Sequence, residues 1–262
     1  MKPKDGLPDG IGRLVLVPKL REVMAQIGFT RIEPVSADLQ GEYDLGVETA
    51  ALGLTTNWLP ASEIRGEGVF VELDEKAVQA WEARPAVMAR GKQLLAGYEE
   101  WSKGVEAAPP FPGVRFYKLH SLSHLLTSAI SLECGYAASA IRERIYCGPS
   151  HKDPTPMAAI LLSTGTTGTE GTLGGLVEQG RDLRCHLQHA FDLGRLCSND
   201  PVCAGHSPED DHAERFLEGA ACHGCLFVAE CSCERFNRYL DRALVVPAIG
   251  HPPDLAFFSK RP

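Results

Sequence analysis

The chain has 262 residues, 44% of them apolar, which is enough to bury a core of its own. Asp and Glu total 34 against 26 Lys and Arg, and the resulting net charge of −8 excludes a broadly basic nucleic-acid coat while leaving room for a local basic stripe. No apolar run reaches the roughly eighteen residues of a membrane span, and the start Met1-Lys2-Pro3-Lys4-Asp5 lacks the apolar centre of a signal peptide, so a cytoplasmic location is expected.

Leu14 to Val17 is a short apolar run, and a short helix is expected from there to Gly28. Residues 34–60 are rich in Gly, Asp and Thr without a sustained period and read as irregular. Gly68 to Leu73 (GVFVEL) has the β-branched, alternating character of a strand. Asp74 directly after it is a good N-cap for a helix that starts at Glu75 and runs to about Lys103, with a kink near Pro85. Residues 104–113 (GVEAAPPFPG) combine three prolines with two glycines and make the best boundary candidate. Two parts follow from it, 1–105 and 106–262.

In the second part Leu122, Leu126, Ala129 and Ile130 recur at helical spacing within residues 119–134, and Gly135 sits where a C-cap belongs. The other face of that helix carries His120, His124, Ser128 and Ser131. A second helix is expected from about Ser139 to Tyr146, and Met157 to Ser163 (MAAILLS) reads as a buried strand. The glycine-rich stretch 165–175 lacks the Lys of a nucleotide-binding loop, so tight turn packing is favoured there over phosphate binding. Leu183, Leu187, Ala190 and Phe191 mark an amphipathic helix that leads to Cys197, and a last helix is expected from Glu234 to Val245. The fold class expected from these elements is α+β, a small sheet packed by helices.

Nine cysteines in a reducing compartment point to metal before disulfides when they lie close together. Cys197 and Cys203 flank a turn composition, Ser-Asn-Asp-Pro-Val, and Cys222-His223-Gly224-Cys225 is a C-x-x-C knuckle in which Gly224 lets the backbone bend around an ion. Two such pairs suit a closed tetrahedral Zn²⁺ site, so Cys197, Cys203, Cys222 and Cys225 are the first-choice ligands, with Cys233 as substitute and residues 204–221 as a surface excursion between the pairs. The competing reading is that these cysteines are small buried hydrophobes or a redox pair. His120 and His124 have the i, i+4 spacing of metalloprotease ligands, but Ser121 stands where the general-base Glu is required, and structural hydrogen bonding is favoured for them; a metal-dependent hydrolase is the rival. On the expected last helix Arg235, Arg238 and Arg242 line one side and offer a DNA-phosphate stripe, although with Glu234 and Asp241 among them a solvated, salt-bridged face is favoured. No Ser/His/Asp order or nucleotide-binding fingerprint is present, and no catalysis is expected.

Five ordered blocks carry a family resemblance: LHSLSH at 119–124, TEGTLGGLV at 169–177, CSNDPVC at 197–203, ACHGC at 221–225 and SCERFNRYLDRAL at 232–244. They resemble DrmB, a component of the DISARM anti-phage defence system whose C-terminal domain is similar to the zinc-binding domain of MrfA-type helicases. GFTRIEP at 28–34, EIRGEGVFVELDE at 63–75 and WEARP at 81–85 extend the likeness into the first part. The resemblance implies that 106–262 is the zinc-binding domain, that the two cysteine pairs hold structural zinc, and that Asn237, Leu240 and Asp241 form the N-x-x-L-D signature behind the site. It also implies a helicase-like partner of the DrmA type and DNA binding through the complex, so the expected function is a non-catalytic accessory subunit that assists DNA engagement, with a pure protein-interaction scaffold that docks the helicase without touching DNA as the rival. The chain is much shorter than the DrmB proteins it resembles.

Overall fold

The computed structural model describes residues 6–26, 58–105, 108–149, 155–165, 175–209 and 215–262. The fold is α+β: one antiparallel sheet in the order β1-β2-β4-β3, with helices packed against it. Its strands are β1 (Ile11–Ala25), β2 (Ala61–Leu73), β3 (Ile141–Gly148) and β4 (Met157–Gly165). The helices are α1 (Glu75–Glu82), α2 (Pro85–Ser102), α3 (Gly113–Cys134), α4 (Gly175–Arg181) and α5 (Leu183–Arg195).

Two expected helices are strands. The chain continues from Leu14–Val17 as one strand to Ala25, paired with β2 from Ile11↔Leu73 to Ala25↔Ala61. As an edge strand it has few buried residues and carries Lys19, Arg21 and Glu22, so its period of two is weak in sequence; the long free edge of β2 supplies the pairing that overrides it. Likewise β3 replaces the helix expected over 139–146. Ile141 and Ile145 are its most buried side chains, and their spacing of four fits a helix as well as every second inward position of a strand. Pairing with β4, from Ile141↔Thr164 to Gly148↔Met157, decides the matter.

Asp74 caps α1 as its position implies, with Oδ1 accepting from the Ala77 N–H at 2.8 Å, and Pro85 begins α2 where its missing N–H costs nothing. Strand β2 pairs with β4, so the sheet is continuous across the 104–113 segment. Gly66 permits that pairing, because a Cβ there would stand 1.6 Å from the Thr164 carbonyl oxygen.

Helix α3 is the central element. Phe116, Leu122, Leu126 and Ile130 are buried, but so are Lys118, His120, Ser121, Ser123 and His124, so its polar face is interior rather than solvated. It ends at Gly135, which takes the left-handed φ of 69° of a C-cap. The C-terminal segment closes the core, and the Trp81 indole N–H donates to the Leu255 carbonyl at 2.7 Å.

Residues 234–245 are not a helix. They form tight turns with positive φ at Phe236, Asn237 and Tyr239 and end in a single 3₁₀ turn, Arg242–Leu244. The apolar positions of this stretch fit helical spacing, but buried partners claim its backbone individually: Tyr239 N–H donates to Leu217 O at 3.1 Å and Arg242 N–H to Ala220 O at 3.1 Å.

Candidate metal centre

Helix α5 ends in Gly194-Arg195 and passes the chain to Cys197 in an extended conformation at Leu196. Asp200 then organises the 197–204 loop: Oδ2 accepts from Cys197 N–H and Oδ1 from Ala204 N–H, each at 3.1 Å. In the facing knuckle the N–H groups of Cys225 and Leu226 return to Cys222 O at 3.1 and 3.0 Å, and Gly224 leaves room that a Cβ would fill at 2.7 Å from Ser198 Oγ.

These two loops bring Cys197, Cys203, Cys222 and Cys225 together, with all four sulfurs within 4.8 Å of one another. The separations are 3.4 Å for Cys197–Cys222, 3.7 Å for Cys203–Cys225 and 3.8 Å for Cys222–Cys225. A disulfide needs about 2.0 Å, whereas four sulfurs at about 2.3 Å from one Zn²⁺ lie about 3.8 Å apart at the corners of a tetrahedron. All four cysteines are free thiols, so the geometry is that of a metal cage. Backbone N–H groups support it: Asn199 N donates to Cys197 Sγ at 3.4 Å and Gly224 N to Cys222 Sγ at 3.3 Å.

The electrostatics are graded. Burial opposes the Cys222 thiolate, but hydrogen bonds from Asn199 Nδ2, from the Cys197 thiol and from Gly224 N–H bring its pKa down to about 7. Burial pushes Cys197 up to about 11, and the Cys225 sulfur beside it, together with burial, raises Cys203 further. Cys222 is therefore the sulfur whose surroundings most favour the thiolate, and a Zn²⁺ held here would require all four thiols in that form.

The segment between the pairs is not a surface excursion throughout. Residues 210–214 lie outside the described residues, but Leu217, Ala220 and Ala221 are buried in the core, so the second knuckle is delivered by a packed strap.

The three arginines expected to line a DNA-facing stripe do not form one. Arg242 is fully buried; its Nη1 donates to Gly194 O at 2.8 Å and its Nη2 pairs with Asp200, the residue that shapes the first cysteine loop. Arg235 is buried, with its guanidinium 5.6 Å from the Phe116 ring centre, and only Arg238 of the three is exposed. The physical reason is the missing helix: without its period the three side chains diverge.

The N-x-x-L-D residues act as a clamp. Asn237 Oδ1 accepts from Val228 N–H at 3.0 Å while its Nδ2 donates to Val228 O at 2.9 Å. Buried Asp241 accepts from Ala220 N–H at 3.1 Å and Ala243 N–H at 3.0 Å and pairs with Arg90 Nε at 2.7 Å. Ser121, which occupies the place of a protease glutamate, accepts from Asp241 N–H at 2.8 Å. Asp200 and Arg90 were not singled out as site residues from sequence; an aspartate inside a turn and an arginine on a helix carry no signal of their eventual partners. The glycine-rich segment 166–174 lies outside the described residues.

Residues 122–226 match the family described as the MrfA Zn-binding domain, a span that includes all four cysteines. The chain is also 39% identical over 242 residues to the DISARM protein DrmB of Bacillus paralicheniformis, covering 90% of this chain and 41% of that protein. It thus spans about two-fifths of the length of the curated relative it matches. The domain match and the four-sulfur cage together identify zinc as the cofactor. Over most of its length this chain is similar to the DISARM protein DrmB, and the part that holds its four-cysteine cage matches the MrfA Zn-binding domain.

Proposed function

We propose that the chain is a non-catalytic, zinc-stapled component of a DISARM-type anti-phage defence assembly, working in the cytoplasm as a scaffold that docks a helicase-like protein of the DrmA type. Cys197, Cys203, Cys222 and Cys225 hold the zinc. DNA is engaged by the assembled complex, not by an arginine face of this chain. The observation that carries this reading is the inward placement of Arg242 and Arg235, which spends their charge on Asp200 and Phe116 and leaves a surface of net negative charge. Four thiolates also fill a tetrahedral ion's coordination shell and leave no open position for substrate, which supports a structural rather than a catalytic zinc. Among the described residues no helix is long and apolar enough to cross a membrane.

The test is a binding experiment with purified chain, a DrmA-type helicase, and labelled duplex and single-stranded DNA across a salt series. The reading expects a stable protein complex that binds DNA and no DNA affinity of the chain by itself. Salt-dependent binding by the isolated chain that weakens in Arg238→Ala would replace the scaffold with a DNA-contacting subunit.

A further inference from the structure

We propose that His120, His124, Glu143 and Cys233 form a second, buried structural zinc site, distinct from the four-cysteine cage. Among the described residues these two groups are the ones in which several His, Cys or carboxylate donors converge, and here too the four donor atoms lie within 4.8 Å of one another. His120 Nε2 is 2.9 Å from Glu143 Oε1 and 3.1 Å from Cys233 Sγ, and His124 Nε2 is 3.3 Å from the same Glu143 oxygen.

The supporting hydrogen bonds orient these atoms as ligands. His124 Nδ1 lies 2.8 Å from the Leu226 carbonyl, which only accepts, so Nδ1 carries the proton and a neutral ring turns its Nε2 lone pair toward the cluster. With no cation between them that lone pair would face a carboxylate oxygen; with one, both become donors to it. A histidine whose outer N–H is held by a carbonyl is the usual support of a metal ligand. Glu143 Oε2 is in turn held by the Ser123 hydroxyl. Cys233 Sγ accepts backbone N–H bonds from Arg235 at 3.3 Å and Asn237 at 3.2 Å, the same support that Asn199 and Gly224 give to cage sulfurs. The left-handed backbone at Phe236, φ 53°, turns the Asn237 amide back onto the sulfur.

Charge points the same way. The buried Glu143 carboxylate is a negative charge in need of a cation, and a Zn²⁺ held here would neutralise it and the Cys233 thiolate it would require, with two imidazoles completing a tetrahedron. The side chains of His120, His124 and Glu143 are 0%, 1% and 2% exposed, so the site is closed to substrate and its role is structural. It joins α3, β3 and the 233–237 turns, and so fixes the segment that carries the Asn237 and Asp241 clamps.

The full chain purified with zinc and without chelator tests this by elemental analysis and zinc X-ray absorption. Two zinc ions per chain are expected, with a mean shell of about 2.5 sulfurs and about 1.5 nitrogens or oxygens. One zinc with an all-sulfur shell overturns the proposal. In His120→Ala about one zinc remains and its shell becomes all sulfur; in Cys222→Ser the remaining shell is dominated by nitrogen and oxygen. Two ions whose shell is unchanged in His120→Ala also overturn it. One ion with a mixed shell in the unaltered chain supports this site and sinks the four-cysteine cage instead, and should either variant fail to fold, the unaltered chain decides.

Discussion

Replacing Asp241 by Asn tests whether the buried Arg90–Asp241 pair fastens the strap between the cysteine pairs to helix α2. Asp241 is fully buried, Arg90 is 5% exposed, and the carboxylate holds the Ala220 and Ala243 N–H groups as well as the guanidinium. An amide of the same shape keeps an acceptor for the two backbone N–H groups but removes the charge, and a buried arginine without its counter-charge costs about 3–5 kcal/mol. That is a large part of the roughly 5–15 kcal/mol that holds a domain folded. Urea unfolding of the zinc-loaded protein, with zinc content checked, measures the loss. Adding Arg90→Met removes the stranded charge, so the double variant should recover at least about 1 kcal/mol over Asp241→Asn alone. A loss under about 1 kcal/mol, or no recovery in the double variant, would refute the account of this pair as a mutually dependent buried unit.

Gly219→Ala should strike the same pair from the other side, since its Cβ would lie 2.2 Å from Asp241 Oδ2 and 2.6 Å from Arg90 Nη2; a loss of about 1–3 kcal/mol in urea unfolding is expected. Removing zinc with a chelator should abolish hydrogen-exchange protection across 197–226 and around Arg242, while protection in the β2–β4 pairing outlasts it; structural zinc is worth about 10 kcal/mol or more in small domains. Lys118 is buried against the Trp81 and Phe257 rings, 4.8 and 4.3 Å from their centres, and burial lowers its pKa from 10.5 to about 7. Because the folded state releases this proton more readily than the unfolded chain, the penalty is full below pH 7 and fades as pH rises toward 10.5. Lys118→Met should therefore stabilise the protein at pH 6 by about 2–3 kcal/mol, the cation–π contacts offsetting part of the desolvation, and by much less near pH 10. Equal melting-temperature shifts at both pH values would contradict it.

Elements with local instructions were legible in the sequence. Asp74 with Glu75 and Pro85 set the starts of α1 and α2, Gly135 ended α3, and the apolar run MAAILLS gave β4. The cysteine spacing and the turn residues around it singled out four sulfurs that the fold gathers into one cage. What stayed hidden depended on partners far away in the chain. Strand β1 is half-exposed, and only the edge of β2 makes it a strand. Ile141 and Ile145 satisfy a helix and a strand alike until β4 lies beside them. Glu143 gave no signal, because its meeting with His120 and His124 requires β3 to be a strand lying on α3.

Composition, capping residues and cysteine spacing by themselves determined an α+β protein with a zinc cage, since each acts over a few residues and leaves its mark in local sequence. The tertiary structure alone decided where the charges go. Arg242 and Arg235 read as a solvated stripe, and His120 and His124 as a satisfied helix face, because periodicity records spacing along the chain and carries no information on which side the rest of the protein will cover. Burial turned the arginines inward, onto Asp200 and the Phe116 ring, and gave the histidines a carboxylate and a sulfur. Whether a polar side chain faces water or a buried partner is a property of the packed chain.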